Sequence, residues 1–148
     1  IALLIAKRTQ EIRYMEWNHI DFDRAIWTTP ADKMKMRKEH RQPITEPILT
    51  MLKELKKRRH NQRIILANGN KPLSENAMLY AVKRFDKITV HGFRATCGTW
   101  CKENGIDKEI SKFIKAHQPE YLDAAYQRSD LLEQRREALQ RWADYVTG

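Results

Sequence analysis

Cysteine is nearly absent from this sequence: Cys97 and Cys101 are the only two in 148 residues. Four positions apart, they fall on one face of a helix, where thiols serve as small core residues. A zinc site needs two further ligands at suitable spacing, and no second Cys or His pair supplies them. Reduced thiols of a cytosolic protein fit this usage. Long apolar runs are missing too: none approaches the roughly 18 residues of a membrane span, and no signal peptide is visible. No cluster of carboxylates offers a Mg²⁺ site, which argues against a metal-dependent nuclease. There is no internal repeat and no low-complexity tract. Acid is in the minority, with 19 Asp and Glu against 28 Lys and Arg and a formal charge of +9. A surplus of that size points to a polyanionic partner, nucleic acid foremost.

What is present suits one domain with one core, 41% of the residues being hydrophobic. Ile1, Leu4, Ile5, Arg8, Ile12 and Met15 recur with helical period, so residues 1 to 16 are expected to form a helix with Arg8 and Glu11 on or near its buried face. A β-rich region follows. Trp17 to Asp21 and Ala25 to Thr29 read as strands around a turn at Asp23-Arg24, and His40 to Ile44 as a returning strand. The basic run Lys33 to Lys38 connects the last two, and Pro43 marks an edge or an ending strand.

Thr45 is placed to cap a helix with the stripe Ile48, Leu52 and Leu55, ending in the cations Lys56 to His60. Arg63 to Ala67 reads as a short extended segment, Asn68-Gly69-Asn70 as a turn, and Ser74 as the cap of a helix to about Asp86. The helix of TVHGFRATCGTW comes next, with Gly105 as its natural stop. A short helix from about Asp107 leads to His117, Pro119 interrupts, a helical turn holds Tyr126, and a final amphipathic helix carries Leu131, Leu132, Leu139, Trp142 and Val146. The fold class is therefore α+β, mostly α-helical.

His91 and Arg94 stand three apart at the mouth of an apolar helix. Burying cations there is costly unless something negative meets them. Taken singly, each polar candidate has a plain explanation. Arg8 can pair with Glu11, Lys35 can be one more hairpin charge, His91 a hydrogen-bonded core histidine, and Tyr126 a half-buried aromatic.

In chain order, though, the sequence presents R-x-x-E in a helix (Arg8, Glu11), a hairpin lysine (Lys35), H-x-x-R (His91, Arg94), a histidine after an apolar helix (His117) and a tyrosine nine positions later (Tyr126). This resembles the catalytic domain of the tyrosine recombinases, most closely the phage and prophage integrases. RTQEIRYMEWNHIDFDRAIWTTPADKMKMRKEHRQPIT is similar to the integrase arginine helix and hairpin, HGFRAT to the His-Arg box, and AAYQRSDLLEQRREALQRWADYV to the tyrosine segment and tail helix. Two positions depart from the pattern: Thr9-Gln10 stands where Pro-Gly is frequent, and Lys115 where an apolar residue is common.

The resemblance implies a small antiparallel sheet packed on a helical core, and the following roles. Arg8 and Arg94 clamp the scissile phosphate of DNA, because guanidiniums give planar, permanently charged, bidentate donors to the developing phosphorane. Tyr126 is the nucleophile, His91 the general base, Lys35 the general acid for the leaving 5′-oxygen, and His117 a hydrogen-bond donor to the phosphate. Glu11 orients Arg8. No metal and no cofactor are expected. The partner is double-stranded DNA at attachment sites, met by a homotetramer of the full-length protein in the bacterial cytoplasm, on the nucleoid. Residues 1–148 are expected to be one catalytic domain truncated at its N-terminus, without the core-binding and arm-binding DNA domains. The tail helix is a candidate for exchange between neighbours or for packing on its own domain. Two alternatives stand beside this reading: a non-catalytic DNA-binding remnant of a degenerate prophage, and a type IB topoisomerase-like strand transferase.

Overall fold

Residues 1–34, 37–58, 64, 71–74, 76–85, 88–116 and 130–148 are described by the computed structural model of the chain. The amino-terminal helix expected over residues 1 to 16 is two short ones, α1 (Ala2–Ile5) and α2 (Thr9–Arg13). The break is at Ala6, which takes a left-handed conformation (φ 51°, ψ 30°) and is itself buried. No glycine or proline announces it. The reason is tertiary, since Arg94, far along the chain, reaches the carbonyl of Ala6.

Trp17 to His19 form a 3₁₀ turn instead of a strand, because the His19 amide bonds back to Glu16. Only β1 (Ile20–Asp21) remains extended there. The Asp21 side chain then accepts from the amides of Asp23 and Arg24 at 3.1 and 2.9 Å, closing the expected turn. β2 (Ile26–Thr29) and β3 (His40–Pro43) complete an antiparallel sheet in the order β1-β2-β3, with Trp27 opposite Gln42 and Thr29 opposite His40. Pro43 thus ends an edge strand, where its missing N–H costs no ladder bond.

α3 (Glu46–Lys57) begins after Thr45 as expected, although the Thr45 hydroxyl makes no capping bond. Ile48, Leu49 and Leu52 are buried, while Leu55 is 40% exposed because the last turn runs past the edge of the core. α4 (Ala77–Lys83) is capped at Asn76, two residues later than expected, with the Ser74 carbonyl accepting from the Ala77 amide. α5 (Val90–Glu103) and α6 (Lys108–Ile114) start at working caps. Thr89 accepts from the Gly92 amide at 2.9 Å, and Asp107 from the Glu109 amide at 2.8 Å. Gly105, at φ 68°, follows the end of α5 as expected. α7 (Leu132–Thr147) follows two left-handed residues, Asp130 and Leu131, so Leu131 caps this helix from outside it. The extended segment 63–67, apart from Ile64, and the turns expected at 68–70 and around Tyr126 lie outside the described residues.

Two apolar clusters hold the elements together. One joins Ile5, Ile12 and Met15 to Trp27, Ile48 and Leu52, cementing α1, α2 and α3 to the sheet. The other gathers Cys97, Trp100, Cys101, Ile114, Leu139 and Trp142 from α5, α6 and α7. The cysteines are free and buried, in the core role their spacing predicts. α7 packs on its own chain, with Trp142 only 1% exposed and its indole N–H donating to the Leu3 carbonyl at 3.2 Å. Burial of that kind contributes about 1.5–3 kcal/mol per large apolar side chain. Among the described residues, no helix is long and apolar enough to cross a membrane.

Candidate active site

The left-handed turn at Ala6 ends α1 and leaves Lys7 and Arg8 in a short link before α2. Arg8 is extended (φ −70°, ψ 147°) at the N-cap position, so it stands just before a helix and not within one. Its guanidinium is consequently aimed sideways, and Glu11, three residues on, receives it at 3.0 Å. The same carboxylate has a second cation: Lys7 Nζ lies 3.5 Å from its other oxygen. Both carboxylate and ammonium are buried, whereas the Arg8 side chain is one-third exposed.

α5 arrives from the other side. Its first two turns place His91 and Arg94 on one face, as an i, i+3 spacing requires. Gly92 between them keeps the cap tight, since a Cβ there would meet the Thr89 hydroxyl at 3.2 Å. His91 is exposed, and Arg94 is buried with Nη1 donating to the Ala6 carbonyl at 3.5 Å.

Arg8, His91 and Arg94 border one open cleft of about 260 Å³, with Thr9 and Val90 in its walls and Lys7 at its base. Burial, and then the positive charge of Arg8, lower the pKa of Arg94, and the Glu11 carboxylate opposes this. The guanidinium still remains cationic at any working pH. Burial also lowers Lys7, to about 7, against the pull of Glu11. With Lys7, Arg8 and Arg94 gathered around the one carboxylate of Glu11, the cleft is electropositive and suited to an oxyanion.

Of the residues singled out in the sequence, the fold brings Arg8, Glu11, His91 and Arg94 together. Lys35, His117 and Tyr126 lie outside the described residues. The strands flanking Lys35 pair as the expected hairpin, and His117 follows α6 in sequence. Lys115 lies along α5 at Gly98, where a Cβ would come within 3.0 Å of its Nζ.

Sequence reasoning missed the polar group behind the cleft. Lys7, His40, Gln42 and Arg135 are all buried. Arg135 donates to the Arg41 carbonyl at 2.7 Å and pairs with Asp130 at 3.3 Å, while His40 Nε2 lies 3.1 Å from Gln42 Oε1. Burial, then the charges of Lys7 and Arg135, hold the His40 pKa down at about 2. The signals existed: Arg135 is four residues before Leu139 on the apolar stripe of the tail helix, and His40 and Gln42 alternate onto one face of β3.

Residues 1–130 match the phage integrase family. The chain is 32% identical to the prophage integrase IntA of Escherichia coli strain K12 over 151 residues, 97% of this chain and 37% of the relative. It is 27% identical to the integrase of Enterobacteria phage P4, over 99% of this chain and 38% of that protein. The chain thus spans well under half the length of these relatives. Among solved structures, the integrase of mycobacterium phage Brujita superposes with a TM-score of 0.73 at 15% identity, over 95% of this chain and 48% of that one. The Tn1549 transposon integrase, solved in complex with a circular intermediate DNA, gives 0.67 at 13% identity, over 87% and 55%. The fold is that of the tyrosine recombinase catalytic domains, and the chain belongs to the phage integrase family.

Proposed function

We propose that residues 1–148 are the catalytic domain of a longer site-specific recombinase, which integrates and excises a prophage or other mobile element by cutting and rejoining DNA. The observation that carries this is the meeting of Arg8, His91 and Arg94 at one cleft from positions more than eighty residues apart in sequence. Duplex DNA as partner is supported by the +9 charge and by the DNA complex of the Tn1549 integrase.

In this reading Arg8 and Arg94 hold the non-bridging oxygens of the scissile phosphate, where charge grows as the phosphorane forms. The Tyr126 oxygen attacks phosphorus while His91 accepts its proton. Help is needed because a phenol of pKa near 10 offers little phenolate at neutral pH. The bond from phosphorus to the 5′-oxygen breaks, Lys35 protonates that oxygen, and His117 donates a hydrogen bond to the phosphate. The product is a 3′-phosphotyrosyl ester. Since it conserves the bond energy, a 5′-hydroxyl from a partner strand reverses the step. The acting form is a homotetramer of the full-length protein, on the nucleoid of a bacterial cell.

The test is a nicked suicide duplex that carries the attachment-site sequence of the mobile element. The protein is expected to form an adduct stable to SDS, and Tyr126→Phe to abolish the adduct while binding DNA about as well. An adduct formed equally by the Phe variant overturns the assignment. Plasmid relaxation with no joined recombinant product moves the protein to the type IB topoisomerases.

A further inference from the structure

Lys7 is the least expected residue near the cleft. Its side chain is fully buried, one residue before Arg8, and its Nζ makes no well-aligned hydrogen bond among the described residues. Around it stand the Glu11 carboxylate from α2, Arg94 from α5, Arg135 from α7, His40 from β3 and the Trp27 ring of β2, whose centroid is 5.7 Å from Nζ. Arg8 follows it directly in the chain. Three of these neighbours are cationic, so the site is a poor one for a lysine on stability grounds alone. Taking an ammonium out of water into such surroundings carries a desolvation cost that the single carboxylate of Glu11 has to offset.

What Lys7 does accomplish is geometric. A glutamate's terminal torsion is broad and nearly two-fold, so a carboxylate held at one oxygen can swing. Glu11 meets a cation at each oxygen: Lys7 lies 3.5 Å from one on the interior side, an ion pair without an aligned hydrogen bond, and Arg8 donates to the other from the cleft side at 3.0 Å. With one oxygen already engaged, the carboxylate receives Arg8 through a single nitrogen, Nη1. The other guanidinium donors stay available to a ligand.

We propose that Lys7 is a positioning residue for Arg8, fixing the Glu11 carboxylate from behind so that it orients the guanidinium in the cleft without capturing it in a fork. This rests on the reading of Arg8 as a phosphate clamp. It also predicts a pH signature, because the hold is strongest while Lys7 is charged and its pKa lies at about 7. The loss of the proton weakens the tether to Glu11.

The experiment compares the full-length protein with its Lys7→Met variant, and with Lys7→Leu as a second apolar occupant should Met fold poorly. The single-turnover rate of adduct formation on the nicked suicide duplex is followed from about pH 6 to about pH 8.5. The wild-type to variant rate ratio is expected to be on the order of tenfold at the acid end, the scale of a small misplacement of a catalytic group, and to shrink toward unity at the alkaline end. In a Glu11→Gln background the same Lys7 substitution is expected to cost no further rate, since its route is gone. A wild-type adduct with a ratio of one throughout overturns the inference. So does a pH-independent ratio that follows a loss of thermal stability, or an equal loss in the Glu11→Gln background. If the wild type forms no adduct at all, it is the recombinase reading that fails.

Discussion

Arg94 donates a long hydrogen bond, 3.5 Å, to the carbonyl oxygen of Ala6 across 88 residues of sequence. Ala6 is where the chain leaves α1 in a left-handed turn, so this contact joins the helix of the His-Arg box to the link that carries Arg8. One guanidinium therefore has two tasks, helping to shape the site and helping to fill it with charge.

From this follows a kinetic expectation. Arg8→Ala and Arg94→Ala are each expected to slow cleavage of the suicide duplex by about 10²-fold, corresponding to roughly 3 kcal/mol of transition-state stabilisation. Arg94→Ala is also expected to lower the melting temperature, because it frees the Ala6 carbonyl, while Arg8→Ala leaves it nearly unchanged. Equal rates for either variant and the wild type contradict the clamp.

Lys7 gives a stability expectation with a definite sign. Its pKa falls from 10.5 in the unfolded chain to about 7 in the folded one, by burial first and foremost. Between those values the unfolded chain binds the extra proton, so the contribution of this group to stability rises with pH across that window. The burial penalty is complete below about pH 7 and gone above about pH 10.5. Urea titrations at several pH values are expected to show this rise in the wild type and not in Lys7→Met.

His40 acts in the acid range. Burial and the charges of Lys7 and Arg135 keep it neutral in the folded protein down to about pH 2, against 6.5 when unfolded. Below 6.5 the unfolded chain takes up a proton that the folded one refuses, so stability is lost as pH falls toward 2. His40→Gln is expected to flatten the acid limb of the stability curve measured by circular dichroism. An unchanged limb contradicts the burial of a neutral imidazole.

Trp142 tests the attachment of the tail helix. It is 1% exposed, 5.5 Å from Trp100 between ring centroids, and bonded to the Leu3 carbonyl. Trp142→Ala is expected to cost about 3–5 kcal/mol by urea unfolding. A cost under about 1 kcal/mol, the range of an exposed substitution, contradicts packing of α7 on its own chain.

Much of the fold was legible because its signals are local. Asp107 and Gly105 mark helix ends by side chain or backbone freedom, and the turn between β1 and β2 is marked likewise by Asp23-Arg24. The break at Ala6 was not legible, for alanine has no local reason to turn left-handed and does so under tertiary contacts. Nothing local sets Lys7 and Arg135 apart for a related reason: a charge near a helix shows its burial only through partners distant in sequence. In the site, Arg8, Glu11, His91 and Arg94 were found from the order and spacing of their motifs. The three-dimensional relation among them, a shared carboxylate and a shared cleft, depends on the Ala6 turn and was beyond sequence reasoning.

The central claim is that this cleft serves covalent chemistry on DNA through Tyr126, and peptide mapping of the trapped adduct tests it most directly. After nuclease and protease digestion, mass spectrometry is expected to find the residual nucleotide on the peptide containing Tyr126, joined through a 3′-phosphate. A nucleotide on any other residue, or joined through a 5′-phosphate, contradicts the account.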